Sequence, residues 1–399
     1  MKIVVISAFP PSKDNLDAPT ALPYQILKYA PDDVDIELFY YPGPEKYRSI
    51  ICRDINNLRL KSTEEIPFKN TIMQKCSHYQ AKKRGLPWGV GRYTVDKAIT
   101  KIINNSNPDY VWIYPHWLID WIPHITCKKI IVTGPDSAAL HYERVIRFGR
   151  WDSCNNLLSN IHLLKENINL ERKYGMMSIK LHLVGEEDVA RYVSLTNKVG
   201  QAFFIPHPYY DYVPIKTPIV NKKGKLRIVI SGGGNTVYVG DHLSRIVREL
   251  VIEARDLTPH YEFLFLGNNY DAYILDLQSA GFTVIQESWV DDFANEIANC
   301  QIQIFPIAVG TGTKGKVLHA LVSGLLGIGS KFAFENVAGL AGEDYILYQK
   351  PEEVAHYLKE IITNRQKYDA VANNGSQKVK VKHSPELVCK LFWDTFAAI

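Results

Sequence analysis

The sequence lacks any uninterrupted apolar run of the roughly 18 residues that a membrane-crossing helix needs, so a helical membrane-spanning protein is set aside. Cysteine is sparse. Cys52, Cys76, Cys127, Cys154, Cys300 and Cys389 stand far apart with no C-x-x-C pair, which argues against a zinc ribbon or a redox dithiol and fits free thiols in a reducing compartment. No metal is expected. No G-x-G-x-x-G follows the first strand, and G-x-S-x-G and H-E-x-x-H are missing too; a classical NAD or FAD site, a hydrolase elbow and a zinc protease therefore have no support. The net charge is only +4, too little to imply nucleic acid as a partner. Internal repeats and low-complexity tracts are also absent. The apolar start, Met1 to Phe9, is stopped by Pro10 and Pro11 without the small-residue cleavage site of a signal peptide, so it reads as a buried strand and the expected compartment is the cytoplasm.

What is present is a chain of 399 residues, 46% hydrophobic and 22% charged, enough for two domains with full cores. Strand and helix patterns alternate throughout, the mark of parallel sheets covered by helices on both faces. Expected strands of the first half are Lys2 to Ser7, Val34 to Tyr40, Asp109 to Tyr114, Lys129 to Thr133, Lys180 to Val184 and Ala202 to Ile205. A proline-rich stretch, Pro206 to Lys225, reads as a linker. The alternation then restarts with Leu226 to Ile230, Tyr261 to Leu266, Phe282 to Gln286, Ile302 to Phe305, Leu326 to Ser330 and Tyr345 to Tyr348. The expected fold class is α/β: two doubly wound, Rossmann-like domains, 1–217 and 218–383, facing a central cleft. The tail 384–399 forms an amphipathic helix packing back on the first domain, with Leu387, Val388, Leu391 and Phe392 on its apolar face. Charge divides unevenly. Residues 1–217 hold 28 Lys and Arg against 22 Asp and Glu, the remainder 18 against 20.

The most informative stretch is 309–329, VGTGTKGKVLHALVSGLLGIG, in which a Gly/Thr-rich loop opens a helix. Val317, Leu318, Leu321 and Val322 form its apolar face, and the 3.6-residue period places Lys316, His319 and Ser323 opposite. Free N–H groups at such a helix start suit an anion, and Lys314 adds formal charge. A glycine-rich turn ahead of a packed helix is the structural alternative. A second glycine loop, Ser231-Gly232-Gly233-Gly234-Asn235, directly follows the first strand of the second domain, where backbone can approach a phosphate or sugar, or simply turn.

From FLFLGNN (263–269) through TVIQESWVDDFANEIANCQIQIFPIAVGTGTKGKVLHALVSG (283–324), the second half resembles the nucleotide-sugar domain of family 4 GT-B glycosyltransferases. The features that carry the resemblance are the Gly-x-Gly-Thr-Lys loop with its Val-Leu-x-Ala helix, Trp289-Val290-Asp291-Asp292 before a helix, and Phe305-Pro306 ending a strand. It implies a sugar nucleotide as donor substrate, no separate cofactor, and retention of configuration. Gly232, Gly233, Gly234, Asn235, Gly310, Thr311, Gly312, Thr313, Lys314 and Gly315 would hold diphosphate and sugar; Val290, Lys316, Val317 and His319 would flank the nucleoside. The family commonly carries two glutamates eight residues apart here; this chain has Thr311 and His319. The arginine and lysine often found soon after the first glycine loop are also missing from 235–241, which leaves Lys314, Arg245 or Arg248 to supply the charge.

In the first domain, Asp109 to Tyr114 runs through Pro115 into His116, which the resemblance sets beside the donor sugar as the candidate catalytic residue; a structural histidine is the alternative. Asp136 and Ser137 follow the next strand, Asp136 either capping the helix after it or meeting acceptor hydroxyls. Lys75, Lys82, Lys83, Arg84, Arg92, Lys97 and Lys101 fall within 27 residues among Tyr79, Trp88 and Tyr93, suiting either a solvated helix face or peripheral contact with the inner face of a membrane. Pro42 to Lys69 carries little pattern. The expected reaction is transfer of a sugar from a nucleoside diphosphate to a glycan or lipid-linked glycan in surface polysaccharide biosynthesis. A GT-B-type sugar-nucleotide epimerase and a silent nucleotide-sugar-binding subunit remain as alternatives.

Overall fold

The protein was analysed as a computed structural model, which describes residues 1–13, 20–149, 154–234 and 237–398. Asn235, the last residue of the first glycine loop, lies outside them. The chain divides into two compact units: Met1–Glu143, Asn155–Pro208 and Pro385–Ile399 form one, Arg144–Cys154 and Tyr209–Ser384 the other.

The first unit is built on seven strands: β1 (Lys2–Ser7), β2 (Asp35–Tyr40), β3 (Ser62–Glu65), β4 (Tyr110–Tyr114), β5 (Ile130–Thr133), β6 (Lys180–Leu183) and β7 (Ala202–Phe204). They lie in the order β3-β2-β1-β4-β5-β6-β7, every pair parallel. Continuous Val/Ile runs such as KIVVIS are what a sheet buried on both faces demands. Val4, Ile6, Val111 and Ile113 feed one core, Ile3, Val5 and Trp112 the other. The terminal helix, Pro385–Ala397, belongs to this unit. Its buried face is Val388, Cys389, Phe392, Trp393 and Phe396, while Leu387 and Leu391 are exposed, so the face is rotated from the expected one. Aromatic packing explains the rotation: Trp112 lies 5.0 Å from the Phe392 ring, and Trp393 Nε1 donates to Ile26 O at 2.9 Å.

The second unit repeats the scheme with β8 (Leu226–Gly233), β9 (Tyr261–Asn268), β10 (Thr283–Glu287), β11 (Ile302–Phe305), β12 (Leu326–Gly329) and β13 (Ile346–Leu347), ordered β10-β9-β8-β11-β12-β13 and again parallel. In such a sheet the strand order reverses at the first strand, and ligands bind beyond the carboxyl ends there. For this unit that point lies between β8 and β11. Both glycine loops of the sequence leave from it.

Two expectations change. Pro42 to Lys69 is not patternless: it holds the helix Arg48–Asn56 and β3, whose residues STEE are all exposed, so only backbone pairing with β2 makes it a strand. The proline-rich stretch is not a free spacer either. Tyr209 N donates to His383 O, Ile215 N to Ser323 O and Lys216 N to Ala298 O, tying it into the second unit.

Candidate functional site

In the second unit, Gly232 pairs with Gly267 across β8 and β9, and a Cβ on Gly267 would lie 1.9 Å from Gly232 O. Gly234 is similarly enclosed, because a Cβ there would meet Asn269 O at 2.3 Å and the Tyr270 ring at 2.4 Å. These glycines are required by protein packing before any ligand is considered. Gly232 differs: its φ is +114°, and the nearest atom to a Cβ there is Lys316 Nζ, at 3.2 Å. Gly233, paired with Asn268, ends β8.

The helix Gly315–Ser323 begins after Lys314, whose own conformation is extended and whose side chain makes no cap. Its first N–H groups are therefore uncapped by that residue, as at an anion-binding helix start. The two lysines flanking Gly315 do different work. Lys314 Nζ donates back to Thr311 O at 2.9 Å and Gly312 O at 2.8 Å, with Glu335 at 3.9 Å, and so closes its own loop. Gly312 turns that loop with φ +61°, and Gly310, Thr311 and Thr313 are buried within it. Lys316 Nζ reaches Ser231 O at 3.3 Å, over the other glycine loop, and among the described residues no carboxylate lies within ion-pair distance. Its side chain is solvent-exposed, yet enough protein surrounds the ammonium for desolvation to lower its pKa. Arg245 is forked onto Glu352 at 2.7 Å through two nitrogens.

The polar face expected on this helix does not form. Of Lys316, His319 and Ser323 only Lys316 is exposed; His319 is 9% and Ser323 2% exposed. The helix Arg365–Lys382 covers the far side, its Ser376 Oγ donating to Val322 O at 3.0 Å. His319 packs edge-on against Phe293 at 5.4 Å, its Nε2 has no partner, and burial pushes its pKa down to about 4 against the opposing pull of Asp292 and Asp211. The imidazole is neutral. Val317 is wholly buried and Val290 half-buried in the same cluster, so Val317 serves the core.

In the first unit, His116 follows β4 and is 8% exposed, its pKa pushed down to about 4 by burial with Asp136 opposing. At the start of the following helix, Ala138–Phe148, Ser137 Oγ accepts from Leu140 N at 3.1 Å. His116, Asp136 and Ser137 meet around one small cavity with Glu171, which pattern reading misses because an isolated glutamate in a charged helix looks like surface. The basic segment forms the helices Thr71–Lys83, Trp88–Arg92 and Lys97–Asn105. Arg84 is engaged by Asp120 at 2.6 and 2.7 Å, whereas Lys75, Lys82 and Lys83 stand exposed beside the exposed Ile72, Met73, Tyr79 and Trp88.

Two parallel-sheet units of this strand order, with the terminal helix on the first, define the GT-B fold of glycosyltransferases. The similarity to solved structures spans the whole chain. HepE of Anabaena in complex with UDP and glucose matches with a TM-score of 0.65 at 11% identity, covering 100% of both chains. A glycosyltransferase from Rickettsia africae matches with a TM-score of 0.65 at 11% identity, over 100% of this chain and 98% of that one. The lipopolysaccharide outer core galactosyltransferase WaaB matches with 0.64 at 11%, covering 100% of both. No family model matches the sequence, and no curated protein does.

Proposed function

We propose that this chain is a glycosyltransferase that moves a sugar from a nucleoside diphosphate sugar to a glycan or lipid-linked glycan acceptor in surface polysaccharide synthesis, with retention of configuration. The observation that carries the reading is Lys316: an ammonium with no carboxylate of the described residues beside it, turned over the Gly232 loop at the point where the strand order reverses. HepE, a solved protein of this fold, holds UDP, UDP-glucose or UDP with glucose in three crystal structures, which supports a uridine nucleotide as the first donor to test.

Cleaving the glycosyl–phosphate bond develops negative charge on the departing diphosphate. Lys316, the Gly315 and Lys316 N–H groups and the helix dipole behind them would stabilise that charge without reorganising, because loop and helix are already set by packing. Lys314 contributes by fixing the loop. His319 would offer its ring nitrogen to the ribose, replacing the family's glutamate with a neutral group. His116 would stand on the donor-sugar side, with Asp136 and Ser137 nearer the acceptor. On incubation with UDP-sugars and a glycan acceptor, UDP release should require acceptor. Altered sugar without acceptor would favour the epimerase, and binding without product the silent subunit.

The acceptor side of the proposal includes peripheral membrane contact. On the helix Thr71–Lys83 only Ala81 is buried; Ile72, Cys76, Tyr79 and Lys83 form an outward stripe with Lys75 and Lys82 beside it. Binding to vesicles containing anionic lipid should fall several-fold in a Lys75, Lys82, Lys83 triple-alanine variant and weaken with salt, since exposed charges are screened over about 8 Å at physiological ionic strength. Equal sedimentation of wild type and variant would remove the segment from the membrane.

A further inference from the structure

Gly315 opens its helix, yet among the described residues no contact requires a glycine there. Its φ lies outside the left-handed region, and the atoms nearest to a Cβ on it would be Tyr210 Cε2, Oη and Cζ, at 3.5, 3.6 and 3.8 Å, ordinary contact distances. Gly234 and Gly267 differ, since a Cβ on either would strike backbone at 2.3 or 1.9 Å. A glycine inside a helix costs stability relative to alanine, so a bare position without a packing reason fits the close approach of something other than protein.

Two polar side chains overlook that position. Tyr210 is one, held in place where its stretch is tied down: Tyr209 N donates to His383 O at 3.0 Å and Ile215 N to Ser323 O at 2.8 Å. His319 is the other. Residues four apart share a helix face and their Cα–Cβ bonds tilt toward the helix N-terminus, so the imidazole leans toward Gly315. It is 9% exposed, and its Nε2 has no partner among the described residues. Charge also grades along this helix. Lys316 reaches the Gly232 loop, whereas Asp211 and Asp292 both lie close enough to favour a charged His319. A phosphate is drawn to the first end and repelled from the second, where a neutral group bearing hydroxyls is better accommodated.

We infer that the bare helix start at Gly315 seats the ribose of the nucleotide, with the Tyr210 hydroxyl and His319 Nε2 hydrogen-bonding to it, and that Tyr210 is a specificity-determining residue. The inference rests on the donor reading proposed above and deepens it. The proline-rich stretch then supplies one wall of the nucleoside site as well as a connection.

Calorimetric titration of the whole chain with UDP, 2′-deoxy-UDP and 3′-deoxy-UDP tests it. Gly315→Ala should keep or raise the melting temperature, because alanine is the better helix former and its methyl finds ordinary contacts. The same methyl overfills the seat, so UDP should bind about tenfold more weakly. Tyr210→Phe keeps the ring against the helix; it should weaken UDP by about three- to tenfold and leave unchanged the deoxy nucleotide that lacks the hydroxyl it contacts. Lys316→Ala should weaken all three nucleotides alike. Wild-type affinity for UDP in Gly315→Ala, or a Tyr210→Phe variant that weakens none of the three or all three equally, would overturn the inference, and impaired binding in Lys316→Ala would show that the donor reading stands without it. A wild type that binds none of the three removes the donor reading and this inference together.

Discussion

Replacing Lys316 with alanine is expected to weaken binding of UDP by about ten- to a hundredfold while leaving uridine almost unaffected, because a hydrogen bond to a charged group contributes about 1.5 to 3 kcal/mol. The expectation rests on position rather than on charge count. Lys314 is two residues away and equally cationic, yet its ammonium is spent on Thr311 O and Gly312 O; Lys316 faces the glycine loop. Lys314→Ala should therefore lower the melting temperature more than the intrinsic affinity for the diphosphate. Calorimetric titration of both variants with UDP and with uridine separates the roles. Equal UDP affinity in Lys316→Ala and wild type would take this lysine out of the site.

The second large effect is acid destabilisation. His116, His182 and His319 are each pushed down to about 4 by burial, from an ordinary value of 6.5. His182 shows why protonation is resisted. Trp112 Nε1 donates to Thr133 Oγ1 at 2.9 Å; the Thr133 hydroxyl can donate on to His182 Nδ1 at 3.2 Å, and Nε2–H then donates to Ile205 O at 3.3 Å. A proton added at Nδ1 would cost Thr133 its acceptor.

A histidine whose folded pKa is lowered contributes stability that is present above 6.5 and is lost as pH falls toward 4. Glu171 runs oppositely: its folded pKa is raised from 4.5 to about 7, so its contribution is complete below 4.5 and is lost as pH rises through 7. Between pH 5 and 6.5 the unfolded chain thus takes up as many as three protons at the histidines and releases one at Glu171. A net uptake approaching two protons makes stability fall by up to about 3 kcal/mol per pH unit on acidification. Calorimetric unfolding in buffers of different ionisation heat measures that uptake directly, and Glu171→Gln should raise it toward three. A melting temperature independent of pH over this window would mean that these imidazoles are not held neutral.

Much of this architecture is legible in the sequence because parallel strands buried on both faces must be continuous apolar runs. KIVVIS, YVWIY and the LRIVI of β8 could be little else. β3 escapes for the opposite reason: STEE has no face to bury, and only its partner makes it a strand. The glycine loops are legible as loops, though what each glycine is for is not. Gly267 is needed by Gly232 O and Gly234 by Tyr270, contacts between segments more than 30 residues apart. The division of labour between Lys314 and Lys316 is hidden as well, since it depends on the extended backbone of Lys314 just before the helix. Glu171 looks like any other charged residue of the helix Cys154–Gly175; what distinguishes it is Ser137 and Ala139, more than 30 residues earlier, closing on its carboxyl.

In a crystal structure with UDP bound, the diphosphate should lie between the Gly232 loop and the start of the Gly315–Ser323 helix, one oxygen within hydrogen-bond distance of Lys316 Nζ and the ribose toward His319. A nucleotide seated elsewhere, with Lys316 still directed at Ser231 O, would contradict this placement.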